Sequence, residues 1–406
     1  MTDPALWGIA TTAAGGEGLS DRSDWSTLTA DGSLPDSMIG SGFGFEFRSD
    51  LPMLAEAGIP AMRWTIDWSR LEPRPGHWDS DAVDHVSEIL KAARDAGIDV
   101  WAVLHDGPLP GWFSEDQRGF DDADGLRLTW PRHVDRVAET FGDLVAAWIP
   151  ILDPYTRALE GHLVGSRPPY KAEPGKFLEA LHTLHHASFE ANRLLRSGTP
   201  PVVVCIDTCP VEPGVMSREP DERDAARKRV ESVDRLRFGS WIRELNDGVI
   251  SIPGLAEREI DGLAGAYDLI GFTYRGGSTL FADGTTGPYP IDAPVAPDGR
   301  APWTEGLGVT IRRLADNFPG RTFALLGTGL TTAEDDWRVE VIAGSMLETQ
   351  RAAEDGIAVT HAFWESGIDG WTPECGFDVP DGTFDRSRTP RDSAQLLRAA
   401  PRIDRA

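Results

Sequence analysis

Nine residues of this chain stand within or at the ends of apolar runs, where polar chemistry needs a reason. Arg63 interrupts AMRWT, His105 and Asp106 follow AVL, Asp153 ends WIPILD and Asp207 ends VVVCID. Tyr274 and Arg275 follow LIGFT, and Trp364 and Glu365 follow VTHAF. A polar group at the end of a buried strand needs a partner or water, so such residues gather around a wet cavity. Asp106, Asp153, Asp207 and Glu365 can move protons, Arg63 and Arg275 can bind or steer charge, and His105 and Tyr274 can line the site. Trp364 and the later Trp371 can stack on a ring. Singly, each is as readily a helix cap or a loop ion pair; as a set they point to a site.

Carboxylates also suit a divalent cation, but these four come from four different runs with no ligand motif joining them. No metal and no other cofactor is expected. His182, His185 and His186 lack the HExxH spacing. GSGFGF (40–45) has no strand before it and no capped helix after it, and no nucleophile elbow marks a Ser-His-Asp triad.

The runs that position these residues are strands. Eight are expected, at 6–11, 60–66, 99–105, 148–153, 201–207, 267–273, 321–327 and 357–364. Four of them follow an amphipathic helical run closed by glycine, at LPMLAEAGIPAMRWTI, EILKAARDAGIDVWAVLH, EANRLLRSGTPPVVVCID and ETQRAAEDGIAVTHAFW. Glycine just past a helix accepts the left-handed C-cap conformation, and the apolar run after it suits a strand buried on both faces. Repeated helix-to-strand linkage is the mark of parallel α/β architecture. Links into strands are mostly short, whereas 12–47, 106–131, 208–222, 274–303 and 365–390 are long and rich in Gly, Pro and Asp. That asymmetry predicts a (β/α)8 TIM barrel with its site at the C-terminal ends of the strands; a doubly wound sheet is the structural rival. No composition break divides residues 1–406, so one barrel domain is expected.

Composition narrows the partners. A formal charge of -26 disfavours nucleic acid and anionic membrane, which select basic surfaces, and leaves a small-molecule ligand. No run of about 18 apolar residues suggests a membrane span, and the N-terminus lacks a secretion-signal pattern, so a cytoplasmic protein is expected. The three cysteines, Cys205, Cys209 and Cys375, read as reduced thiols. Arg supplies almost all positive charge, which fits a bacterial genome rich in G and C. Nothing in the sequence sets an oligomeric state.

In order along the chain, the motifs resemble glycoside hydrolase family 1, the β-glucosidase family. LWGIATTAAGGEG (6–18) resembles its opening strand and loop, and MRWTIDWSRLEP (62–73) its Tyr-Arg-Phe-Ser-Ile-Ser-Trp-Ser-Arg-Ile segment. LHDGPLPGWF (104–113) is similar to His-Phe-Thr-Leu-Pro-x-Trp-Phe, AWIPILDP (147–154) to Trp-Ile-Thr-Phe-Asn-Glu-Pro, and DLIGFTY (268–274) to the Asn-Tyr-Tyr strand. RTPRDSAQLL (388–397) is similar to Arg-Thr-Pro-Lys-Asp-Ser-Ala. The resemblance implies a (β/α)8 barrel and a sugar-like ligand.

It also implies two catalytic glutamates that this chain lacks. The acid/base Glu corresponds to Asp153, preceded by Leu152 instead of Asn, and the nucleophile falls in ALLGTG (324–329) at Gly327. Sugar-gripping Gln, His, Trp and Glu positions become Gly15, Asp106, Gly107 and Gly370, and Arg275 replaces a Tyr that supports the nucleophile. Arg63, Tyr274, Trp364 and Trp371 stay in register. Retaining hydrolysis needs two carboxyl groups about 5–5.5 Å apart, and glycine supplies none. The expected function is therefore acid/base chemistry on a sugar-like or polyoxygenated natural-product metabolite, by non-retaining hydrolysis, elimination or cyclisation. Asp153 is the first candidate for proton transfer, with Asp106, Asp207 or Glu365 as second carboxylate. The alternatives are a catalytically inactive pseudo-glycosidase acting as a binding or scaffold protein, and an atypical β-glycosidase with Glu365 as relocated nucleophile.

Overall fold

Helix stop signals and buried strand runs build the barrel that the sequence predicts. The computed structural model describes residues 2–214 and 220–400. Its eight principal strands are β1 (Leu6–Thr11), β2 (Ala61–Thr65), β3 (Asp99–Val103), β4 (Ala147–Ile149), β5 (Val203–Thr208), β6 (Leu269–Tyr274), β7 (Phe323–Gly329) and β8 (Val359–Glu365). They run parallel in the order β4-β3-β2-β1-β8-β7-β6-β5. Across the remaining seam, Trp148 bridges Val202 in parallel and its N–H donates to Pro201 O at 2.9 Å. With helices between strands, this is a (β/α)8 TIM barrel.

The helix Ser80–Ala96 shows how the outer ring forms. Asp79 accepts the N–H groups of Asp81 and Ala82 at its start, and Gly97 closes it at φ 79°. Val86, Ile89, Leu90 and Ala93 recur at helical spacing and are buried against the barrel. Gly58 and Gly356 take the same left-handed conformation, but Gly198 does not. There the turn is closed by the Ser197 N–H on Leu194 O at 3.3 Å and the Gly198 N–H on Leu195 O at 3.0 Å instead.

Alternation along the strands separates two cores. Trp101, Val103, Ile149, Cys205, Leu326 and Phe363 face the barrel interior, beside the small residues Ala61, Ala147 and Ala324. Their neighbours in sequence, such as Val100, Ala102, Val204 and Leu325, pack outward with the helices. The interior is thus plugged below the site: the Trp101 and Phe363 ring centroids are 5.3 Å apart. The strand expected at 148–153 ends at Ile149 because Pro150 has no N–H to give. The chain still follows β3, with Leu104 N–H on Ile149 O at 3.0 Å and Leu152 N–H on His105 O at 2.8 Å. Over the C-terminal rim lies a small sheet of Val211–Pro213, Gly277–Leu280 and Thr286–Tyr289. The expected loop 208–222 lies partly outside the described residues.

Candidate active site

Arg275 follows β6 and holds the floor of a cleft together. Its Nη1 donates to Asp153 Oδ2 at 2.8 Å, while Nε and Nη2 donate to Glu365 Oε2 and Oε1, each at 2.9 Å. Arg63, from the middle of β2, adds a bond from Nη2 to Glu365 Oε1 at 2.9 Å. The Thr273 hydroxyl donates to Asp153 Oδ1. Arg300, from the loop after β6, brings Nη1 within 3.9 Å of Glu365 Oε2. One guanidinium therefore joins the two carboxylates contributed by β4 and β8.

The backbone places both acids. Asp153 adopts φ 52° and ψ 54°, a left-handed conformation that Asp tolerates better than most side chains. Pro154 then opens the short helix Pro154–Ala158. On β7, register shifts against β6 and β8 surround Gly327. A Cβ at Gly327 would lie 2.4 Å from Glu365 Oε1 and 3.3 Å from Arg63 Nη1. The Glu365 carboxylate thus stands where a side chain at 327 would begin.

Electrostatics set the protonation of these groups. Burial pushes the Glu365 carboxyl up, but Arg275 and Arg63 more than reverse this and hold it well below the usual carboxylate range. Asp153 behaves alike: burial raises it, and Arg275 with the Thr273 hydrogen bond brings it below its ordinary value. Asp106 does the opposite. It accepts from the Thr65 hydroxyl at 2.6 Å, yet burial outweighs that bond and the nearby Arg157 and Arg63, and its carboxyl is raised.

The cleft, about 220 Å³, is lined by Asp106, Asp153, Arg63, Arg275, Glu365 and Trp371 among others. It therefore gathers six of the ten residues singled out from sequence. Trp371 is fixed by its indole N–H on Pro35 O at 3.0 Å. Asp207 is elsewhere: it accepts the Thr156 N–H at 2.7 Å and lies 3.7 Å from Arg237 Nε. It serves the helix Pro154–Ala158 and does not line the cleft. Tyr274 turns its hydroxyl to Trp303 O, and Trp364 is fully buried in the outer core. His105 lines a neighbouring chamber, where burial and Arg157 push its imidazole down to about 3.

Thr273, Arg157 and Arg300 bear on the floor carboxylates and escaped the sequence reading. Thr273 shares the inward face with Arg275, two residues on, and Arg157 stands one helical turn after Asp153, its N–H on Asp153 O at 3.0 Å. Both spacings were available. Arg300 sits in an irregular loop with no such signal. Among the described residues, no group of three or more His, Cys, Asp or Glu side chains is placed to hold a metal ion, and no helix is long and apolar enough to cross a membrane.

The glycines at 370 and 107 are closely packed. A Cβ at Gly370 would lie 2.7 Å from Gly15 O, so the loops after β8 and β1 meet backbone to backbone. A Cβ at Gly107 would lie 2.9 Å from Arg157 Nη1 and 3.1 Å from the Trp25 ring. At neither position is there open space for a side chain.

Comparison with known proteins agrees with this architecture. The model of glycosyl hydrolase family 1 matches residues 8–285. Beta-glucosidase 6 of Oryza sativa subsp. japonica is 28% identical over 159 residues, covering 39% of this chain and 28% of that protein. Beta-glucosidase A of Thermotoga maritima is 26% identical over 202 residues, covering 47% and 45%. The matched stretches thus span less than half the length of these curated relatives. In three dimensions, a beta-glycosidase from Pyrococcus horikoshii superposes with a TM-score of 0.87 at 24% identity, over 98% of this chain and 94% of that one. That likeness is one of fold.

Proposed function

The chain belongs to glycosyl hydrolase family 1, and on that premise we propose that its barrel works by acid/base chemistry on a small sugar-like or polyoxygenated metabolite, without a covalent glycosyl intermediate. The observation that carries this reading is the clamp on Glu365. Its carboxylate reaches the place vacated at Gly327, but three guanidinium N–H groups hold it. Hydrogen bonds to an ionised carboxylate lower its basicity and, with it, its power to attack an anomeric carbon.

The proton chemistry follows from carboxyl groups driven in opposite directions by their surroundings. Asp153, kept ionised by Arg275, is the proton acceptor, and Asp106, raised by burial, is the donor. Both line the cleft, with the Arg157 guanidinium on the same wall. Hydrolysis by a water, elimination and cyclisation each use such a pair without a nucleophile on the protein. Trp371 supplies an aromatic wall for a ring.

Two other readings have an observation each. The position of Glu365 over Gly327 favours a relocated nucleophile, and the saturation of both floor carboxylates by Arg275 favours a binding protein without turnover. A panel of glycosides and polyoxygenated metabolites, read for binding and conversion, separates all three. Conversion lost in Asp106→Asn and Asp153→Asn with binding retained supports the acid/base reading. A covalent adduct on Glu365 from an activated 2-fluoroglycoside, seen by peptide mass spectrometry, would replace it with retaining hydrolysis. Binding without conversion by the wild type would leave the scaffold reading.

A further inference from the structure

Beside the cleft lies a chamber of about 70 Å³ that shares Trp25, Arg157 and Glu160 with it. The chamber is framed by the loop after β3, the segment after β4 and the helix Pro174–Leu195, which contributes Ala180 and Leu184. Its volume accommodates roughly five waters at about 10–15 Å³ each, or a short arm of a larger ligand.

The polar groups around it are unusually short of partners. His105 is 4% exposed, and its Nδ1 meets no hydrogen-bonding group of the protein. The same holds for the buried His162 Nδ1, Arg157 Nε and Arg167 Nε. Ser114 Oγ and Glu160 Oε2, on the same chamber, bring such atoms to six; buried polar atoms are almost always hydrogen-bonded, so this gathering indicates that something else completes them. These atoms include guanidinium N–H donors and imidazole nitrogens, which donate or accept according to tautomer.

Charge defines the class of occupant. Arg157 already faces Glu160 at 3.2 Å, and His162 faces Asp121 at 2.9 Å. Burial with Arg157 keeps His105 neutral, and burial pushes Asp24, also on the chamber, up to about 7. Arg167 lies over the Trp25 ring at 5.0 Å. A charged group entering this space would meet carboxylates as well as guanidinium groups, whereas a hydroxyl can donate to one neighbour and accept from another.

We propose that the chamber is a subsite for a short, uncharged, hydroxylated arm of the ligand held in the cleft, with His105, His162, Arg157 and Arg167 as its hydrogen-bonding groups. The cleft ligand in this statement rests on the reading given under Proposed function. Arg157, on the wall common to both spaces, contacts the ligand on both sides.

The test is ligand-observed NMR titration of the full-length protein with erythritol, and with acetate as the charged comparison. Erythritol is expected to bind the wild type and to perturb the His105 imidazole resonances. Binding should weaken roughly tenfold in His105→Phe, which removes one hydrogen-bonding group, and in Ala180→Leu, which fills the space. Arg300→Ala, altered only on the cleft side, should bind erythritol as the wild type does. No erythritol binding, tighter binding of acetate, or equal erythritol binding by the two chamber variants would overturn the subsite. Loss confined to Arg300→Ala would also overturn it, placing the polyol in the cleft and leaving the reaction proposal standing. Chamber-dependent erythritol binding by a protein that converts no metabolite would support the subsite while sinking the proposed reaction.

Discussion

The floor of the cleft and its side wall carry the same kind of group in opposite states. On the floor, Asp153 and Glu365 are held ionised, because Arg275 and Arg63 lie within hydrogen-bonding distance. On the wall Asp106, and in the neighbouring chamber Asp24, lack such a guanidinium bond, and desolvation raises both. What separates them is the presence of a guanidinium hydrogen bond: half-buried Glu365 and buried Asp153 both have one, half-buried Asp106 and buried Asp24 have none. A barrel rim can thus be given acids or bases by where it puts arginine.

The sharpest way to break this contrast is to remove the hub. Arg275→Met should turn the floor into a second wall: Glu365 keeps only its Arg63 bond and the more distant Arg300, and Asp153 loses its one guanidinium hydrogen bond. Breaking a buried pair by deleting one partner costs about 3–5 kcal/mol. The sign with pH is specific. In the wild type, Asp153 and Glu365 have folded values below 3.8 and 4.5, so their contribution is complete above those values and is lost as pH falls through the depressed folded values. In the variant both values rise, so the deficit should be largest at pH 7 and shrink towards pH 5. Urea unfolding at the two pH values measures it, and an equal deficit at both would contradict the hub.

The next largest effect probes the place Glu365 occupies. Gly327→Ala introduces a Cβ against the carboxylate and should cost about 1–3 kcal/mol through overpacking. If the carboxylate is the obstacle, Glu365→Ala should absorb that cost, so the double variant deviates from additivity by about 1 kcal/mol or more. Additive losses would place the strain elsewhere on β7.

How much of this was legible depends on the period of a strand. The barrel could be read, because helices, glycine stops and buried runs repeat along the chain. At three strand ends the sequence nominates adjacent pairs, His105 with Asp106, Tyr274 with Arg275, and Trp364 with Glu365. Successive side chains point to opposite faces, so only one of each pair reaches the cleft, and it is Asp106, Arg275 and Glu365. Which member points inward depends on register and on shifts such as those around Gly327, which composition does not reveal. Arg300 was invisible for another reason: a long loop carries no periodicity to say where its side chains land.

In the neighbouring chamber, the contrast is sharpened by removing a titration instead of a charge. Asp24 accepts the Leu109 N–H at 2.9 Å and is raised from 3.8 to about 7 by burial. Between those values the folded protein holds a proton that the unfolded chain has released, so this group's contribution to stability falls as pH rises from about 4 to 7. Asp24→Asn keeps an acceptor for Leu109 and removes the titration. The variant should gain on the order of 2 kcal/mol relative to wild type at pH 7 and little at pH 4.5. A gain independent of pH would mean that Asp24 is not the titrating group.

The smallest expected effect concerns Asp207, the member of the four nominated carboxylates that belongs to neither region. Asp207 lies near the end of the buried strand β5, yet it spends one oxygen on the Thr156 N–H and faces Arg237 with the other. Asp207→Asn keeps an acceptor for Thr156 and weakens only the attraction to Arg237, so it should cost about 0.5–1.5 kcal/mol in urea unfolding. Ligand binding and conversion should stay at wild-type levels, because the side chain does not line the cleft. Conversion abolished with stability intact would put Asp207 among the reacting groups and would mean that the helix Pro154–Ala158, which it supports, moves to let it in.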